Sequence, residues 1–210
     1  MATTNVFSGA IAAVSATITG SVTAGSIAIS DGKTVGGRMF ASVTDSTAVV
    51  LPVTTPVGGS LFDTAYTLPA KTLNAGSMLR IRLVTRVTTL TAGTTAAIVL
   101  RLGGTAGLAD GTIVGTSQAA AAGQGVGSRC VIEAVFTARA DAGAAVALSG
   151  VSTAVWSGLP AVVTTYPGVG VAVPTFATNA ALLIRASVTT VDNAANAGAI
   201  VVEQMIVEIV

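Results

Sequence analysis

The residues able to do chemistry in this 210-residue chain are few, and the first informative fact is which types are missing. There is no histidine, which removes the commonest general base and the commonest metal ligand together and excludes the histidine forms of the serine and cysteine triads. Lys33 lies in the loop-like SDGKTVGG and Lys71 in LPAKTL, and neither is the setting of a Ser-Lys nucleophile. Nine carboxylates are scattered singly, with Asp31, Asp110 and Asp141 beside turn residues, so spacing nominates no acid/base pair. The glycine-rich GQGVGS at 123–128 lacks the Gly-Lys-Ser/Thr of a phosphate loop. Without a Cys/His cluster or an Asp-rich calcium loop, the expectation is no catalytic residue, no cofactor and no metal.

What remains is a stripe of arginines. In SMLRIRLVTRVTTL, Leu79, Ile81, Leu83 and Val87 alternate with Arg80, Arg82 and Arg86. Period-two alternation makes this a strand with one core face and one basic face. Two readings of the stripe stay open: an ordinary solvated sheet face, or a docking face for acidic groups of a neighbouring subunit. A net charge of +1 and the lack of aromatics among the arginines argue against specific nucleic-acid binding.

The elements that must carry these residues are strands. Charged residues make up 9% of the chain, against about 25% in ordinary soluble domains, and the abundant valine and threonine together favour half-buried pleated structure. AIVLRLGG places Ile98, Leu100 and Leu102 inward and Arg101 on the outer face; RCVIEAVFTAR places Cys130, Ile132, Ala134, Phe136 and Ala138 inward and Arg129, Glu133 and Arg139 outward. LLIRASVTTV and AIVVEQMIVEIV supply two more strands. Cys130, the one cysteine, is read as a small buried hydrophobe. Gly, Pro, Ser and Thr interrupt every apolar run before the roughly 20 residues of a spanning helix, so no membrane partner is expected, and the start has no basic region of a signal peptide.

Two stretches stand out for lack of charge. Residues 9–30 hold none and read as short strands or an extended arm, with Val14, Ile18 and Val22 seeking cover on another surface. Residues 142–184 also hold none, and three prolines, Pro160, Pro167 and Pro174, break them; they read as loops buried between subunits, with Trp156 and Tyr166 as interface anchors.

YTLPAKTLNAGSMLRIRLVTRVTTLTAGTTAAIVLRLGGT, residues 66–105, resembles the jelly-roll domains of tailed-bacteriophage structural proteins, whose loose pattern is a "lPAnTL.aGd.lrIr" strand and a later strand ending in "RlGGT". EQMIVEIV at 203–210 is similar to the closing strand of such domains, and SATITGSVTAGSIAIS at 15–30 is similar to fibre-shaft sequence. The resemblance implies a non-enzymatic virion protein made in the host cytoplasm. It implies most directly a capsid decoration (cement) protein on the head exterior, a homotrimer whose partners are its own copies and the major capsid protein or other virion subunits. The alternative it implies is a tail-fibre or tail-spike knob. The expected architecture is all-β: an extended N-terminal arm or short strands over 1–40 and a jelly-roll-like antiparallel β-sandwich over 41–210.

Overall fold

The computed structural model describes residues 37–51, 60–90, 96–104, 110–117, 125–158, 161–166, 175–190 and 198–210. Val14, Ile18 and Val22 lie outside the described residues. Twelve strands are present and, among the described residues, no helix: β1 (Gly37–Ser42), β2 (Val49–Leu51), β3 (Ser60–Leu68), β4 (Met78–Leu90), β5 (Ala96–Leu102), β6 (Thr112–Thr116), β7 (Arg129–Ala138), β8 (Val146–Trp156), β9 (Val162–Tyr166), β10 (Thr175–Phe176), β11 (Leu182–Thr190) and β12 (Gly198–Ile209). β1 spans Gly37–Ser42 and so straddles the boundary expected between the arm or short strands of 1–40 and the sandwich.

The strands form two antiparallel sheets packed as a β-sandwich. The larger runs β1-β12-β4-β7-β8-β10, with β2 also on β12 and β9 also on β8; the smaller runs β3-β11-β5-β6. Four of the pairings are nested in the sequence: β5 with β6, β4 with β7, β3 with β11 and β1 with β12. The chain behaves as one long hairpin rolled up so that alternate pairs fall in opposite sheets.

The alternation expected from sequence in β4, β7 and β12 sets the core. Leu79, Ile81 and Leu83 of β4, Ile132 and Phe136 of β7, and Met205, Val207 and Ile209 of β12 face Ile98, Leu100 and Leu102 of β5 and Ile184 and Val188 of β11, all essentially without solvent contact. Each such side chain contributes about 1.5–3 kcal/mol over leaving it exposed. Phe40 and Tyr66 stack across the sheets with ring centroids 5.0 Å apart.

Residues 142–184 are corrected from loops to strands where they are described: β8, β9 and β10 extend the large sheet beyond β7. The prolines that suggested loops sit outside these strands, and β8 places one of its faces in the core.

Candidate functional site

The outer face of the large sheet collects the charged stripe. Its rows follow from register: Ile206, Arg82, Glu133, Thr153 and Val163 lie side by side across β12, β4, β7, β8 and β9, and Glu208, Arg80, Val135, Val151 and Thr165 form the next row. Arg80 Nη1 stands 3.8 Å from Glu208 Oε2, and Arg82 Nε 3.3 Å from Glu133 Oε1. The Arg82–Glu133 pair is exposed on both sides and of the kind that adds little to stability, while Glu208 in the other is half-buried.

Arg86 and Arg129 are opposite one another in the β4–β7 ladder, where like charges repel. A bulge in β12 between Val202 and Gln204 takes Glu203 out of the ladder, and its carboxylate answers both. Arg86 Nε donates to Glu203 Oε1 at 2.6 Å, while Arg129 Nε and Nη2 donate to Oε2 and Oε1 at 2.6 and 3.0 Å. These bonds, Arg129's foremost, hold the Glu203 carboxyl below the usual carboxylate range, and Glu203 raises Arg129 in return. Ser46 compensates the backbone at the bulge: its N–H donates to Val202 O and its Oγ accepts from Val202 N, each at 2.8 Å. That contact brings Asp45 Oδ2 to 2.6 Å from Arg86 Nη2. The three arginines singled out from sequence are therefore together on one face, each answered by a carboxylate of its own chain.

The other half of this face has a different character. On the outward side of β8 and β9 there is no charged residue, and Val151, Val155 and Val163 are 40%, 36% and 61% exposed. Within the charged half a depression of about 450 Å³ opens over β12, β4 and β7, lined by Arg80, Arg82, Glu133, Val135, Ile206 and Glu208 among others. The surface can bind by apolar contact flanked by balanced charge. It offers no nucleophile beside a base.

Trp156 does not belong to this surface. It is 1% exposed and lies in the core, its Nε1–H donating to Ser117 Oγ at 3.1 Å. The expectation of an interface anchor is corrected because β8 alternates and residue 156 falls on its inward side; the outward neighbour is Val155. Tyr166 ends β9, opposite Gly150 in the register. Ser117 Oγ also accepts the Ile98 N–H at 2.9 Å, so the indole proton is satisfied inside the sandwich. Cys130, opposite Trp156 in the ladder, is fully buried, and burial pushes its thiol up to about 12. It packs as the sequence suggested.

Arg101 lies on the outer face of the small sheet, as alternation required, yet it is 5% exposed because β5 is buried on both faces. It stands opposite Arg185, itself 3% exposed. The two arginines hold the β5–β6 connection: Arg101 Nη1 donates to Gly111 O at 3.0 Å and its Nε to Ser187 Oγ at 3.0 Å, while Arg185 Nη2 donates to Gly103 O and Asp110 Oδ1, each at 2.9 Å. Burial, with Arg185 adding to it, pushes the Arg101 guanidinium below its ordinary value. Gly103 and Gly104 have φ of 70° and 84°, and a β-carbon on Gly104 would collide with Arg185 Nη2, Asp110 Oδ1 and Gly111 N. The RLGG sequence is a clamped turn, and Arg185 was the partner that sequence alone did not indicate.

Among the described residues no three Cys, Asp or Glu side chains group as a metal site, and no helix is long and apolar enough to cross a membrane. The chain matches no protein-family model, no curated protein and no solved structure.

Proposed function

We propose that this is a virion structural protein, a jelly-roll-like sandwich that decorates the exterior of a head shell and works by docking to other subunits, with no catalytic role. The nested pairing β1·β12, β3·β11, β4·β7 and β5·β6 supports the jelly-roll reading, since rolling two Greek keys into facing sheets produces that nesting. The observation that carries the docking role is the outward face of β8 and β9, where Val151, Val155 and Val163 stand exposed without a charged residue beside a ladder of internally balanced arginines and carboxylates. A face whose arginines are already answered does not need an acidic partner. It gains by covering its valines, at about 25 cal/mol per Å² of apolar area before the costs of association.

The test is to add purified protein to heads prepared without it and to follow co-sedimentation and the heat resistance of the particles. Saturable binding with raised particle stability, lost in Val151→Glu/Val155→Glu while the isolated protein melts as before, is the expected result. Failure to bind heads sinks the decoration role. Failure together with binding to host cells places the protein in the tail, as a fibre or spike knob.

A further inference from the structure

β12 has β4 along one side and, along the other, β1 and β2. The two sides are held differently. Toward β4 the pairing belongs to the core, with Leu79, Ile81 and Leu83 beside Met205, Val207 and Ile209, none of them open to solvent. On the other side no side chain from Met39 to Val50 is buried: Met39, Phe40 and Val49 lean on the core, while Val43 and Val50 stand exposed. β2 contributes three residues, and β1 breaks register between Arg38 and Phe40. A segment that hides so little apolar surface opens at low cost unless polar contacts hold it.

Those contacts fall on three successive residues between β1 and β2. Asp45 Oδ2 meets Arg86 Nη2 of β4 at 2.6 Å. Ser46 makes two hydrogen bonds of 2.8 Å with the backbone of Val202 in β12. The Thr47 N–H donates to Asp63 Oδ2 of β3 at 3.0 Å. Three neighbouring residues thus reach three strands, one of them in the opposite sheet.

We propose that Gly37–Leu51 is a detachable edge ribbon, clasped by the carboxylates of Asp45 and Asp63, and that releasing the clasp frees β1 and β2 together while the rest of the sandwich stays folded. Its departure removes no buried side chain of Met39 to Val50 from the core, and it leaves the twelve-residue β12 as a bare edge, the kind of edge on which a further strand can add. The charged groups around the clasp are Asp45 and Asp63, Arg86 of β4, Arg129 of β7 and Glu203 of β12; Arg38 of β1 stands opposite Glu208 of β12 in the register. Hydrogen bonds from Thr47 hold Asp63 below its ordinary value of 3.8, and those from Arg129 and Arg86 hold Glu203 below 4.5. The fastening is therefore complete above those ordinary values and fades as pH falls through the lowered ones.

The experiment is amide-resolved hydrogen exchange of the full chain at pH 7 and pH 3, corrected for the intrinsic pH dependence of each amide. At pH 7 the amides of 37–51 are expected to exchange at least about tenfold faster than those of β7. In β12, amides directed to β1 should follow the ribbon and those directed to β4 should follow β7. At pH 3 the gap between ribbon and β7 should widen. Asp45→Ala/Asp63→Ala should widen it by at least about tenfold already at pH 7, through the loss of two charge-assisted bonds. Glu133→Ala, at a carboxylate whose partner is the exposed Arg82, should leave it unchanged. Wild-type exchange of 37–51 at the rate of β7 would overturn the proposal whether or not the alanine variant folds, because the ribbon would then open only with the whole sandwich. So would an alanine variant that speeds β7 as much as the ribbon, or a gap that acid leaves unchanged.

Discussion

Trp156→Ala separates a core tryptophan from an interface one. The indole is 1% exposed in the isolated chain and sits opposite Cys130, with its N–H spent on Ser117. A tryptophan hides about 150–250 Å², which at about 25 cal/mol per Å² amounts to ~4–6 kcal/mol. The denatured chain already hides part of that area, and the measured range for such truncations is about 3–5 kcal/mol. For a domain of this size the loss corresponds to a melting point lower by about 6–20 °C, or a urea midpoint lower by on the order of 1–2 M. Circular dichroism is the assay, because the chain has a single tryptophan and the variant has no indole to follow. Trp156→Phe keeps most of the ring and loses one neutral hydrogen bond, so about 1 kcal/mol of its deficit should come from that bond. In the wild type, emission should be blue-shifted when folded and move red on unfolding. An alanine variant that melts within a degree or two of wild type while its self-association or particle binding collapses would refute the core assignment.

Three further outcomes are expected. Glu203→Gln should lower the melting temperature at neutral pH by leaving Arg86 and Arg129 opposed without their shared carboxylate. Because Glu203 in the folded state lies below its ordinary value of 4.5, its contribution is full above that pH and fades as pH falls through the lowered value; thermal melts of variant and wild type should therefore converge in acid, and a constant gap would contradict the bridge. Gly104→Ala, which combines a φ of 84° with a collision against Gly111 N, should cost about 1–3 kcal/mol in chemical denaturation, whereas Gly127→Ala, with a similar φ but open space around it, should cost less. Cys130, buried and pushed up to about 12, should resist thiol reagents at pH 8 in the native protein and take up one equivalent on unfolding; rapid native labelling would show that β7 opens far more often than its packing implies.

Where a strand has one apolar and one charged side, its place was legible before any coordinates. In β4 the leucines and isoleucine alternate with arginines, and in β7 the same rhythm puts Phe136 inside and Glu133 outside; the faces came out as read. β8 resisted for a specific reason. Valine stands at 151 and 155 on one side while alanine and serine stand at 154 and 152 on the other, so hydrophobicity alone does not say which side is the core. The missing charge of residues 142–184 suggests loops buried between subunits; where they are described they are strands, and in β8 one face lies in the core while the outward face is uncharged as well. Trp156, read as an interface anchor from that depletion, falls on the inward side of β8.

The sequence by itself determined the class of structure and the facing of the strongly alternating strands, because a period of two, β-branched residues and turn-forming glycines act over a few neighbouring residues. It also determined that histidine chemistry is absent. Only the tertiary structure decided what each outward face meets. Arg101 and Arg86 carry the same alternation signal, yet one is sealed against Arg185 and the carbonyls of a clamped turn, and the other shares Glu203 with Arg129 at the surface. Their partners lie up to 117 residues away along the chain, brought near by the rolling of one hairpin into two sheets. Local periodicity fixes a direction for a side chain; burial and charge pairing depend on which distant strand that direction finds.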